Sequence, residues 1–176
     1  TFFADGFLAE VCRKWEAAPV NVPAATKLII IRLGVVLGKN GGMLKKLKPL
    51  FNYCLGGRMG SGDQAFPFIH IHDAAEAFIH ILSQQSPAEI YNLVSPKMIT
   101  NKQFTRAYAK ALHRPAILAV PAFALKILLG KRSALILEGQ KVIPEKLQQE
   151  QFVFRFPDIS HPDFFRTSQF EKSAGI

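Results

Sequence analysis

The stretch Lys27-Leu-Ile-Ile-Ile-Arg-Leu-Gly-Val-Val-Leu-Gly38 constrains this chain more than any other. Its apolar, largely β-branched character is continuous rather than alternating, the pattern of a strand covered on both faces inside a parallel sheet. A helix is therefore expected on each side of it. Parallel neighbours need a crossover between them, so the strand also predicts a β-α-β succession downstream.

That succession is visible. Upstream, Asp5 can cap a helix carrying Phe7, Leu8, Val11, Cys12 and Trp15, which ends before Pro19 and Pro23. After the strand, Leu44, Leu47, Leu50, Phe51 and Cys54 share one face of a helix over 41–54, and Pro49 is expected to kink or shorten it. Gly56-Gly-Arg-Met-Gly-Ser-Gly62 reads as an irregular turn, followed by a short extended stretch over 66–71. Asp73 with Glu76 offers a capping box for a helix whose buried stripe is Ala74, Ala77, Phe78, Ile81 and Leu82. A short strand is predicted over 89–94. Thr100 with Gln103 makes a second capping box, for a helix buried through Phe104, Ala107, Tyr108, Ala111 and Leu112. Beyond Pro115 the character changes to a helix starting at Pro121 and stopped by Gly130, another over 133–139, and short pieces around 152–156.

Counting strands exposes a gap. The strand at 28–33 can pair with the one at 90–94 across the 73–83 helix, and little else in the chain offers a sheet partner. An open two-stranded parallel sheet does not stand alone, so further strands are expected from an N-terminal half or from another chain. The abrupt start at Thr1, without an initiator Met, is read the same way.

Composition narrows the class. With 176 residues, 49% of them hydrophobic and 20% charged, the chain is in the ordinary globular range. Its apolar runs fall far short of the roughly 20 residues that cross a bilayer, and no secretory signal opens it, so neither membrane nor export is expected. The formal charge of +9 raises a nucleic-acid reading, but the basic residues are scattered. The tightest group, Lys45, Lys46 and Lys48, is expected to be a solvated helix face, with a phosphate-bearing small ligand as the main alternative and nucleic acid not expected as a partner. Cys12 and Cys54 sit among apolar neighbours and are read as reduced core thiols in a cytoplasmic compartment.

Several segments taken in order resemble a known family. They are Phe7-Leu-Ala-Glu-Val-Cys-Arg-Lys-Trp-Glu16, Arg32-Leu-Gly-Val-Val-Leu-Gly38, Gly41-Gly-Met-Leu44, Gly56 through Gln64, Phe68-Ile-His-Ile-His-Asp73 and Val120-Pro-Ala-Phe-Ala-Leu125. Together they resemble the epimerase-like branch of the extended short-chain dehydrogenase/reductases over roughly residues 5 to 157. The resemblance implies an α/β fold: the C-terminal part of a Rossmann-like doubly wound parallel sheet with a small, mostly helical substrate-side region. Residues 1–113 would be the Rossmann-like part, 114–166 the helical region, and 167–176 a poorly ordered tail.

The resemblance also implies a NAD(P)-dependent oxidoreductase or epimerase-like parent that acts on a small molecule, nucleotide-sugar-like in chemistry, with NADP or NAD as cofactor. The glycine fingerprint that holds the pyrophosphate belongs between a first strand and its helix. The glycines at 56, 57, 60 and 62 follow a helix and precede an extended segment, the wrong order for it. Cofactor contact is expected only from Gly34, Val35 and Val36, just past the strand, where open α/β sheets place ligands. Substrate contact is expected from Arg58, whose guanidinium suits phosphate or carboxylate, and from Gln64 and His70.

No catalytic residue is expected. The class uses a Tyr and a Lys one helical turn apart, but Phe7 with Val11, or Leu8 with Cys12, stands in their place, and Tyr53, Tyr91 and Tyr108 are followed four residues on by Gly57, Ser95 and Leu112. The chain alone is therefore expected to be inactive, and a binding or scaffold module retaining the reductase fold is the alternative. His70 and His72, two apart on an extended segment with Asp73 beside them, have the look of metal ligands; cleft lining and helix capping are preferred, and no metal is expected. Arg32 ends a buried strand and is expected in an ion pair. Homo-oligomerisation through the open strand edge is a further expectation.

Overall fold

In the computed structural model the described residues are 7–23, 25–39, 41–87, 89–120 and 139–166. They form α1 (Phe7–Ala17), β1 (Ile30–Leu33), β2 (Val35–Leu37), α2 (Gly42–Asn52), β3 (Gly57–Met59), β4 (Phe68–His70), α3 (Ile71–Ser83), β5 (Ile90–Leu93), α4 (Asn101–Ala111), β6 (Leu118–Val120) and α5 (Glu145–Gln149). The strands make three parallel pairs, β1 with β5, β2 with β4 and β3 with β6. The expected pairing of 28–33 with 90–94 is thus present in register, Ile30 opposite Ile90 and Leu33 opposite Leu93, with α3 between them in the chain.

A helix lies on each face of β1, as its composition requires. Ile29 and Ile31 pack with Ala74, Ala77 and Ile81 of α3 in one apolar cluster that also takes in Tyr91, Leu93 and Leu147. Arg32 alternates to the opposite face and holds Glu16 of α1 through two bonds of 2.7 Å. The expected ion pair at the strand's end is therefore this one. It keeps the Glu16 carboxyl below its ordinary range, chiefly by the hydrogen bond from Arg32.

The coverage of β1 is incomplete, however. Its residues are half-buried and Leu33 is 51% exposed, because only one of its edges is hydrogen-bonded among the described residues. The strand covered on both faces is instead β4, where Phe68, Ile69 and His70 are all buried. Phe68 belongs to a second cluster with Leu37, Leu44, Phe51, Phe104, Tyr108, Phe156 and Phe164, while Ile69 belongs to the first. Residues 145–166 contribute to both clusters through Leu147, Phe156, Ile159 and Phe164.

Other local expectations are corrected. The helix over 42–52 runs through Pro49 for three more residues; Pro49 and Lys45 both lie on its exposed side, where water can satisfy the carbonyl that proline leaves unpaired. The glycine-rich segment is not wholly irregular, since Gly57–Met59 is a strand. A Cβ at Gly57 would stand 1.7 Å from the Leu118 carbonyl oxygen, so the pairing with β6 requires glycine there. Cys12 and Cys54 are free but exposed rather than buried in a core, as is Trp15. On α3 the buried stripe is Ala74, Ala77 and Ile81, while Leu82 is 78% exposed. The helices expected from Pro121 and over 133–139, and the tail from 167, lie outside the described residues, apart from Gly139, which is in neither helix nor strand.

Candidate functional site

The chain changes partner at Gly34. Its N–H donates to the Leu93 carbonyl of β5 at 3.0 Å, while the next N–H, of Val35, donates to the Pro67 carbonyl at 2.9 Å, just before β4. One extended segment is thereby shared between two strand pairs, and residues 34–36 sit at the carboxyl end of β1, where the pairing splits. A Cβ at Gly34 would come within 2.8 Å of a Val94 methyl and 3.0 Å of the Pro67 oxygen, so the crossing needs glycine. Register places Val36 opposite Ile69 and Leu37 opposite His70, so Val35 and Val36 occupy the strand adjoining that of His70.

His70 ends β4 and caps α3, its Nδ1 accepting the N–H of His72 at 3.2 Å. The helix begins at Ile71, so His72 is helical and does not share an extended face with His70. The His70 ring is 1% exposed and lies 4.0 Å from Phe156 and 4.9 Å from Phe164, centroid to centroid. Burial above all, with His72 next, pushes its pKa down to about 4, against the opposing influence of the Phe164 backbone. Its Nε2 is buried without a partner in hydrogen-bond geometry among the described residues. An imidazole in this setting is neutral and shielded by the chain's own phenylalanines.

Asp73 does not cap the helix. It is 1% exposed, and its two carboxylate oxygens accept the backbone N–H groups of Arg155 and Phe156, each at 2.9 Å. Burial raises its pKa, opposed by those two bonds. Further along the same segment the Ser95 hydroxyl donates to the Pro157 carbonyl, and Lys97 is paired with Asp158. Tyr91, fully buried, donates its hydroxyl to Glu150 at 2.6 Å, and His80 lies 3.1 Å from the other Glu150 oxygen. The Tyr108 hydroxyl donates to the Leu44 carbonyl. Two of the three tyrosines are thus occupied in holding the fold.

Arg58, in β3, and Gln64, in the loop between β3 and β4, lie on a different part of the fold. Arg58 is exposed and gives one N–H to the Ser61 carbonyl at 2.7 Å, leaving others of its five donors directed to solvent. The Gln64 amide instead donates to the Met59 carbonyl at 2.9 Å. The loop is docked on the start of α4, whose Asn101 and Lys102 N–H groups donate to the Gln64 and Gly62 carbonyls. The Thr100 and Gln103 capping box is present as expected. Asn101 escaped the sequence reading, although a signal existed: it is a polar residue on the stripe of Phe104, Thr105 and Tyr108 that α4 buries.

This arrangement has known counterparts. A family model described as the NAD dependent epimerase/dehydratase family matches residues 8–93, and one described as a domain of unknown function, DUF1731, matches residues 120–161. An epimerase family protein of Mycobacterium leprae, ML0860, is 36% identical over 166 residues, covering 93% of this chain and 54% of that protein. Over residues 8–93 the chain belongs to the NAD dependent epimerase/dehydratase family. Within that family, the crystal structure of the human epimerase family protein SDR39U1 (isoform 2) with NADPH superposes with a TM-score of 0.82 at 35% identity, covering 86% of this chain and 52% of that one. A nucleoside-diphosphate sugar epimerase of Corynebacterium glutamicum superposes with a TM-score of 0.67 at 32% identity, covering 89% of this chain and 30% of that one. The fold is accordingly the Rossmann-like α/β fold that the sequence resemblance implies. The chain spans about half the length of the curated relatives it matches. No described helix is long and apolar enough to cross a membrane.

Proposed function

We propose that this chain supplies the last strands, the substrate-side loops and the C-terminal region of a NAD(P)-dependent epimerase-like oxidoreductase, and that it neither holds the dinucleotide nor turns over substrate by itself. The observation that carries this reading is β1, hydrogen-bonded to β5 on one edge and to nothing on the other among the described residues. A sheet ending there has room for the strands of a preceding half or of another chain. The similarity to a human relative crystallised with NADPH makes NADP the favoured cofactor over NAD.

The residues present do not fit a whole dinucleotide. Among the described residues no glycine-rich turn joins a strand to the N-terminus of a helix in the order that cradles pyrophosphate. Gly34, Val35 and Val36 can border the cofactor, but the N–H groups of Gly34 and Val35 are already bonded to Leu93 and Pro67. On the substrate side Arg58 is the group best placed to meet a phosphate or carboxylate. Gln64 holds the loop beside it, and His70 fills the core at the start of α3. The substrate is a small molecule of nucleotide-sugar type, the compartment a reducing cytoplasm, and neither nucleic acid nor membrane is a partner.

Titrating the isolated chain with NADPH while following nicotinamide fluorescence tests this reading. No saturation in the micromolar range is expected, and micromolar saturable binding would overturn it. A non-catalytic binding module is the second reading, favoured by the engagement of Tyr91 with Glu150 and of Tyr108 with Leu44. A degenerate glycine fingerprint in whatever segment completes the sheet would select it, and an intact one would select the oxidoreductase.

A further inference from the structure

We propose that Asn101 is a positioning residue: it holds β3 and the following loop so that the Arg58 guanidinium is presented to an anionic ligand. This rests on the reading of Arg58 given above. The Asn101 side chain is 2% exposed, and its Oδ1 accepts the Met59 N–H at 2.9 Å. From the other side of the same residue, the Met59 carbonyl accepts the Gln64 amide at 2.9 Å. Both polar groups of the Met59 backbone are therefore bound by side chains that converge on it from α4 and from the loop's far end.

The consequence falls on Arg58. In a strand successive side chains point to opposite faces, so fixing Met59 fixes the direction in which its neighbour leaves the backbone. Arg58 lies in β3 with Gly57 and Met59, registered against Ala119 of β6. Its stem also packs at the loop: a Cβ at Gly62, where φ is +78°, would stand 3.3 Å from the Arg58 Cβ and 3.1 Å from the Lys102 Cβ. Backbone bonds from Asn101 to Gln64 and from Lys102 to Gly62 complete the attachment to the helix. An exposed arginine on an unanchored glycine-rich turn would sample many directions. Here one buried amide oxygen removes that freedom before any ligand arrives, which is how a preformed site lowers the entropic cost of binding.

The test uses the full 176-residue chain and UDP-glucose as the anionic probe, with affinity followed by calorimetry. Asn101→Ala is expected to weaken binding about tenfold, as Arg58→Ala does, and to add nothing in the Arg58→Ala background, because a residue acting through another is not additive with it. Asn101→Asp, which keeps the acceptor oxygen, is expected to stay within about twofold of the wild type. Equal weakening by Asn101→Ala in both backgrounds, or no rescue by aspartate, would overturn the proposal. Should wild-type chain take up no UDP-glucose, the Arg58 reading fails by itself, and amide exchange decides the role of Asn101. Met59 exchange at least about tenfold faster in Asn101→Ala and near wild type in Asn101→Asp supports it; unchanged exchange rejects it.

Discussion

The carboxylate of Asp73 accepts the backbone N–H of Phe156 at 2.9 Å across 83 residues of sequence, and its second oxygen accepts that of Arg155. Replacing Asp73 with alanine leaves two N–H groups without their acceptor, one of them buried. The expected loss is about 2–4 kcal/mol of unfolding free energy. Asp73→Asn, which retains one acceptor oxygen, should lose about half of that. Urea titration of the two variants measures both, and equal stability of Asp73→Ala and wild type would show that the clamp carries no weight.

His70 sets an acid limit. Its folded pKa of about 4 lies below the ordinary 6.5, so below pH 6.5 the unfolded chain takes up a proton that the native ring does not. Stability is fully present above that value and falls as the pH drops toward about 4, by about 3 kcal/mol at most. Asp73, with its pKa raised, acts in the opposite sense, losing stability as pH rises through its own titration. The comparison of wild type with His70→Asn, which keeps a side-chain cap for α3, isolates the histidine. The variant should show a flatter stability profile between pH 6.5 and 4, and parallel profiles would contradict the assignment.

Gly57→Ala should separate β3 from β6. A methyl group 1.7 Å from the Leu118 oxygen cannot be accommodated without moving one strand, and both partners at the contact are backbone. A loss of about 2 kcal/mol or more is expected. Hydrogen exchange should show faster exchange at Gly60, whose N–H is bonded to Val120, while β1 and β5 keep their protection.

The open edge of β1 predicts concentration-dependent self-association of the isolated chain. Sedimentation velocity over a hundredfold range of concentration should show species larger than the monomer. A cleanly monomeric, cooperatively folding chain at all concentrations would count against an incomplete sheet.

What the sequence disclosed, and what it hid, divides along contact distance. The Thr100 and Gln103 box is confined to four residues and was legible from them. The pairing of β1 with β5 was legible too, because continuous apolar strands have few other uses. Asp73 misled, since Asp-x-x-Glu is a local cap pattern, whereas the helix starts at Ile71, is capped by His70, and the carboxylate serves a segment far along the chain. β3 was hidden because glycine has low strand propensity, and only a partner pressing as close as Leu118 explains it. Cys12, on the apolar stripe of α1, was read as a core thiol, yet it and Trp15 on the same helix are exposed. Periodicity says which face is apolar and not whether the surface that would cover it is at hand.

The ties from residues 150–158 back to Asp73, Tyr91 and Ser95 bear on how this protein could be recombined with its relatives. A chimera that swaps in a foreign stretch over 120–161, the span of the DUF1731 match, would import the acceptor of the Tyr91 hydroxyl and the phenylalanine that shields His70 without their counterparts. Viable crossovers must carry these residues as matched sets, with the 150–158 segment and its partners at 73, 91 and 95 taken from one parent.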